Sequence, residues 1–360
     1  MDLSAASGML QGDAQLCGDE LYLKFGQCTL RFRSNSEPLV ARLRRYFAHA
    51  LGKAGSADLE VLAIERDAPE LGVEFADWAR EPGKSGRKDA CFDLAGGRLI
   101  RKVRTGMLFL QSECERIAAG PCLENESQVI NFINAQYMNW LQQRGWLICH
   151  ASGLVYRGQC LGMAGLSGGG KSTLMLHLLE QEGVSYLTND RLFIRREGAA
   201  VQARGIPKLP RINPGTIVHN ERLHGLIDAQ ERKRLLALPR QDLWEIEQKH
   251  DVDVEALYGP EKITPGAPLS AFLVLNWRRG SDHPMQLREV SLDERRDLLS
   301  AIMKSPGPFY QYADGSFHRD TAVPDEQAYL ELLRRIRIYE AGGGVDFTGL
   351  IERCLNKLMG

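Results

Sequence analysis

Apolar and polar positions alternate on either side of Gly26 in Glu20–Phe32 (ELYLKFGQCTLRF), which predicts a hairpin or two adjacent strands. Past a turn at Ser34–Pro38 the period lengthens. Leu39, Val40, Leu43, Phe47 and Leu51 fall at helical spacing with arginines between them, predicting a helix from Leu39 to about Leu51. Leu59–Ile64 reads as a strand, Asp77–Asp89 as a polar loop, and Arg98–Val103 and Gly106–Leu110 as a further strand pair. Gln128–Trp146 carries the stripe Val129, Ile130, Ile133, Tyr137, Trp140 and Leu141. It is expected to be an amphipathic helix stopped by Gly145, its aromatics packing a core.

The pattern then changes. Leu147–Ser152 and Gly153–Tyr156 read as strand material and Cys160–Ala164 as a short apolar strand. A glycine-rich loop, a helix over Ser172–Gln181 and a strand over Val184–Thr188 follow, with a further strand at Leu192–Arg195. Strand, glycine loop, helix, strand is a βαβ-type layout and predicts an α/β domain with ligands gathered at the strand ends of a parallel sheet. Gly205–Pro214 is proline-rich and irregular, and Asp228–Leu238 and Gln241–Gln248 are helix-like. Ser270–Trp277 and Leu287–Val290 suit strands. Leu292–Met303 suits a helix capped by Ser291, Pro324–Tyr339 a charged helix, and Phe347–Leu358 a last short helix after the stop at Gly342–Gly344. Gly307–Phe309 and Asp314–Ser316 mark a loop of unassigned role. The expected division is a strand-rich α+β domain over residues 1–125 and a phosphate-loop domain with C-terminal helices over residues 126–360.

Composition narrows the classes. The 360 residues are 44% hydrophobic and 25% charged, ordinary for globular chains, and the net charge of −1 points neither to nucleic acid nor to an anionic membrane. The basic clusters at Arg42–Arg45 and Arg232–Arg234 sit in mixed-charge, helix-like stretches that read as solvated faces. The eight cysteines show no metal-type spacing, no signal-peptide pattern follows Met1, and no apolar run is long enough to span a bilayer. A reduced cytoplasmic compartment with free thiols is the expectation.

The loop carries the chemistry. Gly165-Leu166-Ser167-Gly168-Gly169-Gly170-Lys171-Ser172 fits G-x-x-x-x-G-K-[ST], with Thr173 next. Glycines let backbone N–H groups turn toward phosphate oxygens, and the following helix adds the positive end of its dipole. Lys171 suits the β- and γ-phosphates, and the Ser172 hydroxyl suits Mg²⁺. A preceding strand and a following helix separate this reading from a mere flexible turn. Asp190, beyond the Val184–Thr188 strand and beside Asn189, suits a metal ligand or a base. The plainer reading is an Asx turn. His150, just before the loop strand, reads either as a hydrogen-bonded core histidine or as a site residue. Lys208 and Arg211 face either solvent, or a phosphate or acidic acceptor.

These residues resemble the HPr kinase/phosphorylase family, and especially its HPr-kinase-related B-type proteins. That family has a histidine before the loop, a G-x-S-G-x-G-K-S loop and an Asp-Asp pair after the next strand. His150, Gly165–Ser172 with Ser167 inside, and Asn189-Asp190 stand here in that order. Asp242–Gly259 (DLWEIEQKHDVDVEALYG) also looks like the B-type relatives. The likeness is good over roughly Leu147–Pro214. It implies an α/β fold like the HPr kinase C-terminal domain and phosphoenolpyruvate carboxykinase, preceded by a smaller α+β domain. It also implies an active-site role for His150 and a homo-oligomer. The sequence departs from the family at three acids. Thr173 stands for a glutamate, Asn189 for an aspartate, and Gln202-Ala203-Arg204-Gly205 for E-x-R-G, which removes possible metal ligands or proton acceptors.

The expected activity is transfer of the γ-phosphate of ATP, with Mg²⁺, to a serine-type hydroxyl of a protein or small molecule. Lys171, Asp190 and His150 would be catalytic, Gly165–Thr173 would hold nucleotide, and Ser172 and Asp190 would hold metal. The missing acids motivate an alternative, an ATP-binding switch that transfers nothing. No nucleic-acid or membrane partner is expected.

Overall fold

Gly26 takes a left-handed backbone (φ 60°), so the alternating runs flanking it close as an antiparallel hairpin, β1 (Leu21–Phe25) and β2 (Cys28–Ser34). The structure is a computed structural model that describes residues 1–80, 86–165, 169–278 and 280–358. The chain divides into two units, Met1–Trp146 with Ser305–Pro324, and Leu147–Lys304 with Asp325–Gly360.

In the first unit the described strands form one sheet in the order β1-β2-β3-β8-β7-β6-β5-β4. The added strands are β3 (Leu59–Glu65), β4 (Ala76–Asp77), β5 (Asp89–Leu94), β6 (Gly97–Lys102), β7 (Leu108–Ser112) and β8 (Arg116–Gly120). Period-two patterning sets what each face meets. On β7, Leu108 and Leu110 join a cluster with Ala6 and Leu10 of helix α1 (Leu3–Gln11). Phe109 between them points the other way and meets Phe132 of α3 (Glu126–Gln142) at 4.9 Å. Helix α2 (Glu37–Tyr46) is capped by Ser36, whose hydroxyl accepts from the Leu39 amide, and ends before Phe47 rather than at Leu51. The expected junction after residue 125 falls just before α3, which lies in the first unit. The segment of unassigned role, Gly307–Ser316, also belongs to this unit. Buried Arg98 donates to the carbonyls of Pro308 (3.2 Å) and His318 (2.8 Å), with its charge met by Asp93.

The second unit holds the motif. Its strands are β9 (Leu147–Cys149), β10 (Ala151–Tyr156), β11 (Gln159–Gly165), β12 (Val184–Thr188), β13 (Leu192–Glu197), β14 (Ala200–Arg204), β15 (Arg211–Ile212), β16 (His250–Asp251), β17 (Gly266–Leu275), β18 (Gln286–Glu289) and β19 (Arg337–Gly342). The main path runs β12-β10-β11-β17-β14-β13-β9, with β19 on β17 and β18 on β19, while β15 and β16 pair apart. Its helices are α4 (Lys171–Leu179), α5 (Pro214–Ile217), α6 (Ala229–Leu236), α7 (Arg240–Glu245), α8 (Val254–Tyr258), α9 (Leu299–Ile302), α10 (Glu326–Leu333) and α11 (Phe347–Arg353).

The central strands are buried on both faces, which explains their near-continuous apolar runs. Leu161 and Met163 of β11 pack with Leu174 and Leu178 of α4. Cys160 and Ala164 face the opposite cluster, with Leu299 of α9 and Leu330 of α10. The sheet lies between two helical layers.

Three expectations are corrected. The sheet is mixed, not parallel: β11 pairs β17 in parallel, but β10 lies antiparallel between β11 and β12. The helix expected over Pro324–Tyr339 stops at Leu333, and Arg337–Gly342 becomes β19, held in parallel by β17. The helix expected over Leu292–Met303 survives only as a short 3₁₀ turn (Arg296–Leu298) and α9. Met303 is drawn into a bridge with Cys149. Among the described residues no helix is long and apolar enough to cross a membrane, and the eight cysteines are free thiols.

Candidate active site

β9 pairs with β13, whereas β10 pairs with β11 and β12. His150 is the one residue between them, where the chain leaves one ribbon for the other. Its backbone groups therefore find partners outside the ladders. The amide donates to the Ile302 carbonyl at 2.7 Å. The carbonyl accepts from Lys171 Nζ at 3.4 Å. The His150 side chain turns to Asp190, with Nε2 3.1 Å from Oδ1.

Asp190 lies in the turn between β12 and β13. That turn is closed by Thr188, whose hydroxyl donates to the Arg191 carbonyl at 3.0 Å. The Asp190 carboxylate is left to face His150, and Arg191 Nε at 3.7 Å. Its side chain keeps 52% of its surface. Burial there pushes its carboxyl up. The hydrogen bond from His150 and the charges of Lys304, Arg191 and Lys171 outweigh burial and hold it well below the carboxylate range.

Asn189 sits one residue earlier and joins the two strand ends. Its amide oxygen accepts from Ser172 Oγ at 3.0 Å and from Ser152 Oγ at 3.3 Å, and its carbonyl accepts from Ser152 Oγ at 2.5 Å. Ser152 is fully buried on β10 and was not singled out in the sequence. Thr173, expected at the nucleotide, shares a hydrogen bond of 3.0 Å with Thr216 of α5.

Helix α4 starts at Lys171, with Gly170 in a left-handed cap (φ 82°) that offers no side-chain acceptor to the first-turn amides. A Cβ on Gly170 would lie 2.7 Å from Phe347 Cζ. Phe347 meets Trp277 edge-on at 5.1 Å, and the Trp277 indole N–H donates to the Gly169 carbonyl at 2.7 Å. These two rings brace the end of the loop, and no local signal near either marks that role. Of the expected loop, Gly165, Gly169, Gly170, Lys171, Ser172 and Thr173 are described. Leu166, Ser167 and Gly168 lie outside the described residues. Burial pushes the Lys171 ammonium down to about 8, opposed by Asp190 and aided by Lys304 and Lys249.

Gly205 closes the other side. A Cβ there would lie 1.9 Å from the Leu187 carbonyl oxygen, so only glycine lets this backbone rest on the end of β12. Lys208 follows, its carbonyl accepting from the Tyr186 hydroxyl at 2.9 Å.

The donor set suits a hard divalent cation. Ser172 Oγ, from the first turn of α4, and Asn189 Oδ1, just past β12, lie 3.0 Å apart, and Asp190 is the next residue along the chain. Mg²⁺ is commonly held by one or two carboxylates and completed by substrate phosphates and water. Among the described residues no group of three or more His, Cys, Asp or Glu side chains is placed to hold a metal.

No family model matches the chain, and no curated protein matches it. Among solved structures, the Hpr(Ser) kinase/phosphatase from Coxiella burnetii aligns at 11% identity over 59% of this chain and 90% of its own, with a TM-score of 0.31.

Proposed function

We propose that the second unit is an ATP-dependent phosphotransferase that moves the γ-phosphate to an alcohol, serine-type, of a protein or small molecule. One observation carries the reading. Where the phosphate-loop motif meets the ends of β9 and β12, Lys171 reaches the His150 carbonyl, the His150 ring reaches Asp190, and Ser172 reaches Asn189, the residue next to Asp190.

On this reading Lys171 and the uncapped amides of α4 bind the β- and γ-phosphates. Ser172 and Asp190, with the Asn189 oxygen, hold Mg²⁺, which when bound supplies neutralisation of the phosphate charge. The acceptor oxygen forms a bond to the γ-phosphorus as the bond to the β-bridging oxygen breaks and ADP leaves with its electron pair. A carboxylate held well below the usual range is a weak proton acceptor. Asp190 therefore orients the imidazole through Nε2, and His150 Nδ1 takes the hydroxyl proton. Positioning and charge neutralisation supply most of the rate. A cytoplasmic location and self-assembly go with this proposal.

The test is γ-phosphate transfer from labelled ATP to partner proteins and small alcohols. Asp190→Asn should abolish transfer while leaving nucleotide uptake in place. One neutral residue, Asn189, standing beside the only acid of the pair favours a second reading, a nucleotide-gated switch. Tight ATP uptake with no labelled product under any acceptor selects it.

A further inference from the structure

The first unit holds a cavity of about 450 Å³ between the end of β5 and the segment running from Tyr312 to Ala322. That volume lies within the range of small-molecule sites. Its walls are held from behind. Gln311 and Phe317 form an antiparallel bridge, the Tyr312 amide donates to the Ser316 carbonyl at 2.8 Å, and Gly315 turns the chain back at φ 84°. The Tyr312 hydroxyl lies 3.0 Å from Nδ1 of buried His318, and the Arg98 guanidinium lies 4.7 Å from the centre of the Phe317 ring. Leu94 packs at the edge of the cluster that α1 covers. Rings and turn are therefore set in advance, which lowers the ordering cost of binding a ligand.

Leu94, Phe317, Ala322 and the Tyr312 ring make most of the lining apolar. The polar groups among them differ in what they already hold. Asp93 gives both carboxylate oxygens to Arg98, and the Ser316 hydroxyl donates to Asp314 at 2.6 Å. The acids flanking the loop are engaged with backbone. Asp314 accepts from the Ser316 amide at 2.9 Å and Asp320 from the Ala79 amide at 2.8 Å, and neither lines the cavity. Arg319 and Thr321 do line it. Among the described residues, their side chains have no hydrogen bond, ion pair or ring contact. The two are carried on one turn, closed by the Ala322 amide on the Arg319 carbonyl at 3.0 Å. A guanidinium and a hydroxyl thus border a largely apolar space without a protein partner.

A guanidinium fork matches the two oxygens of a carboxylate, and one positive charge balances one negative charge. A phosphate dianion would call for a second cation, and the guanidinium behind the wall, Arg98, is already matched by Asp93. We infer that this cavity binds a small organic carboxylate, its anionic end on Arg319 and Thr321 and its apolar body against Leu94, Phe317 and Ala322. The site belongs to the first unit and does not depend on the phosphotransferase reading.

Calorimetric titration of the full chain at neutral pH compares benzoate and isovalerate with benzyl alcohol, benzylamine, acetate and inorganic phosphate. Benzoate or isovalerate should bind at least about tenfold more tightly than benzyl alcohol or benzylamine, as expected for charge-assisted hydrogen bonds. Acetate lacks the apolar body and phosphate the matched charge, so both should trail. Arg319→Gln should remove the preference for a carboxylate, and Arg319→Lys, a point charge in place of a fork, should keep part of it. Arg319 is exposed, so these substitutions should leave the urea midpoint in place. Failure of both apolar carboxylates to bind below roughly 10 mM overturns the inference. So does benzylamine or acetate binding as tightly as they do, or a preference that survives Arg319→Gln. Phosphate binding more tightly than either, and losing that with Arg319→Gln, overturns the carboxylate assignment.

Discussion

Lys208 should cost the protein stability, and removing its charge should return it. Burial pushes its ammonium down to about 8 from an ordinary 10.5. At about 1.4 kcal/mol per pKa unit, the full displacement corresponds to roughly 3 kcal/mol. The side chain is only partly buried, so solvent screening reduces the expected value to about 1–2 kcal/mol. The sign follows from proton binding. Below about pH 8 both folded and unfolded chains hold the proton, and the folded state bears the whole cost. Between 8 and 10.5 the folded chain gives the proton up while the unfolded chain keeps it, so stability climbs with pH. Lys208→Met keeps the apolar stem and removes the ammonium. It should stabilise the apo protein at pH 7 by about 1–2 kcal/mol, with the gain fading toward zero near pH 10.5. Reversible urea unfolding at the two pH values measures it, provided the slope with denaturant is unchanged. A loss of stability at pH 7, or a gain indifferent to pH, refutes the reasoning.

Trp277→Phe retains a ring against Phe347 but deletes the hydrogen bond to the Gly169 carbonyl at 2.7 Å. Nucleotide affinity by calorimetry should fall about fivefold, the worth of one neutral hydrogen bond, with little change in urea midpoint. Gly205→Ala forces a methyl to within 1.9 Å of the Leu187 carbonyl oxygen. The variant should lose more than about 3 kcal/mol or fail to fold, and ordinary stability in urea would show that the loop can move aside. Asn189→Asp puts a carboxylate 3.0 Å from Ser172 Oγ. Mg²⁺ should then strengthen nucleotide uptake about tenfold more than in the parent, since ligand charge tunes affinity for hard cations. Chelation should erase that difference.

How much of this was legible in the sequence depends on where each residue's partners lie. The hairpin at Gly26, β3, β12 and the start of α4 rest on local periodicity, and the structure places them within a residue or two of expectation. The strand β19 does not. Tyr329, Leu330 and Leu333 are spaced as a helix, but Arg337–Gly342 is claimed by β17, more than sixty residues away. The tail of Leu292–Met303 is likewise pulled out of helix by Cys149 and His150. In the candidate site, Gly169, Gly170, Lys171 and Ser172 stand out in the sequence because backbone turn, dipole and ammonium come from consecutive residues. The Trp277 and Phe347 brace was not, because each ring reaches the loop from another part of the chain.

The placement of His150 follows from the same long-range competition. β17 serves two ribbons at once, its first residues pairing with β14 and its later ones with β11 and β19. Strands entering from β9 must therefore change ribbon before they can lie beside β11, and the change takes place at a single residue. A residue at such a break cannot spend its carbonyl on a ladder, so the His150 carbonyl is available to Lys171 at 3.4 Å. That contact is long for a charge-assisted bond and leaves the ammonium underpaid for its burial, at about 8. On the proposed reading this is the resting position of the loop lysine. A phosphate oxygen offers it a full negative charge in place of a distant carbonyl, so the desolvation built into the lysine's position becomes a preference for nucleotide.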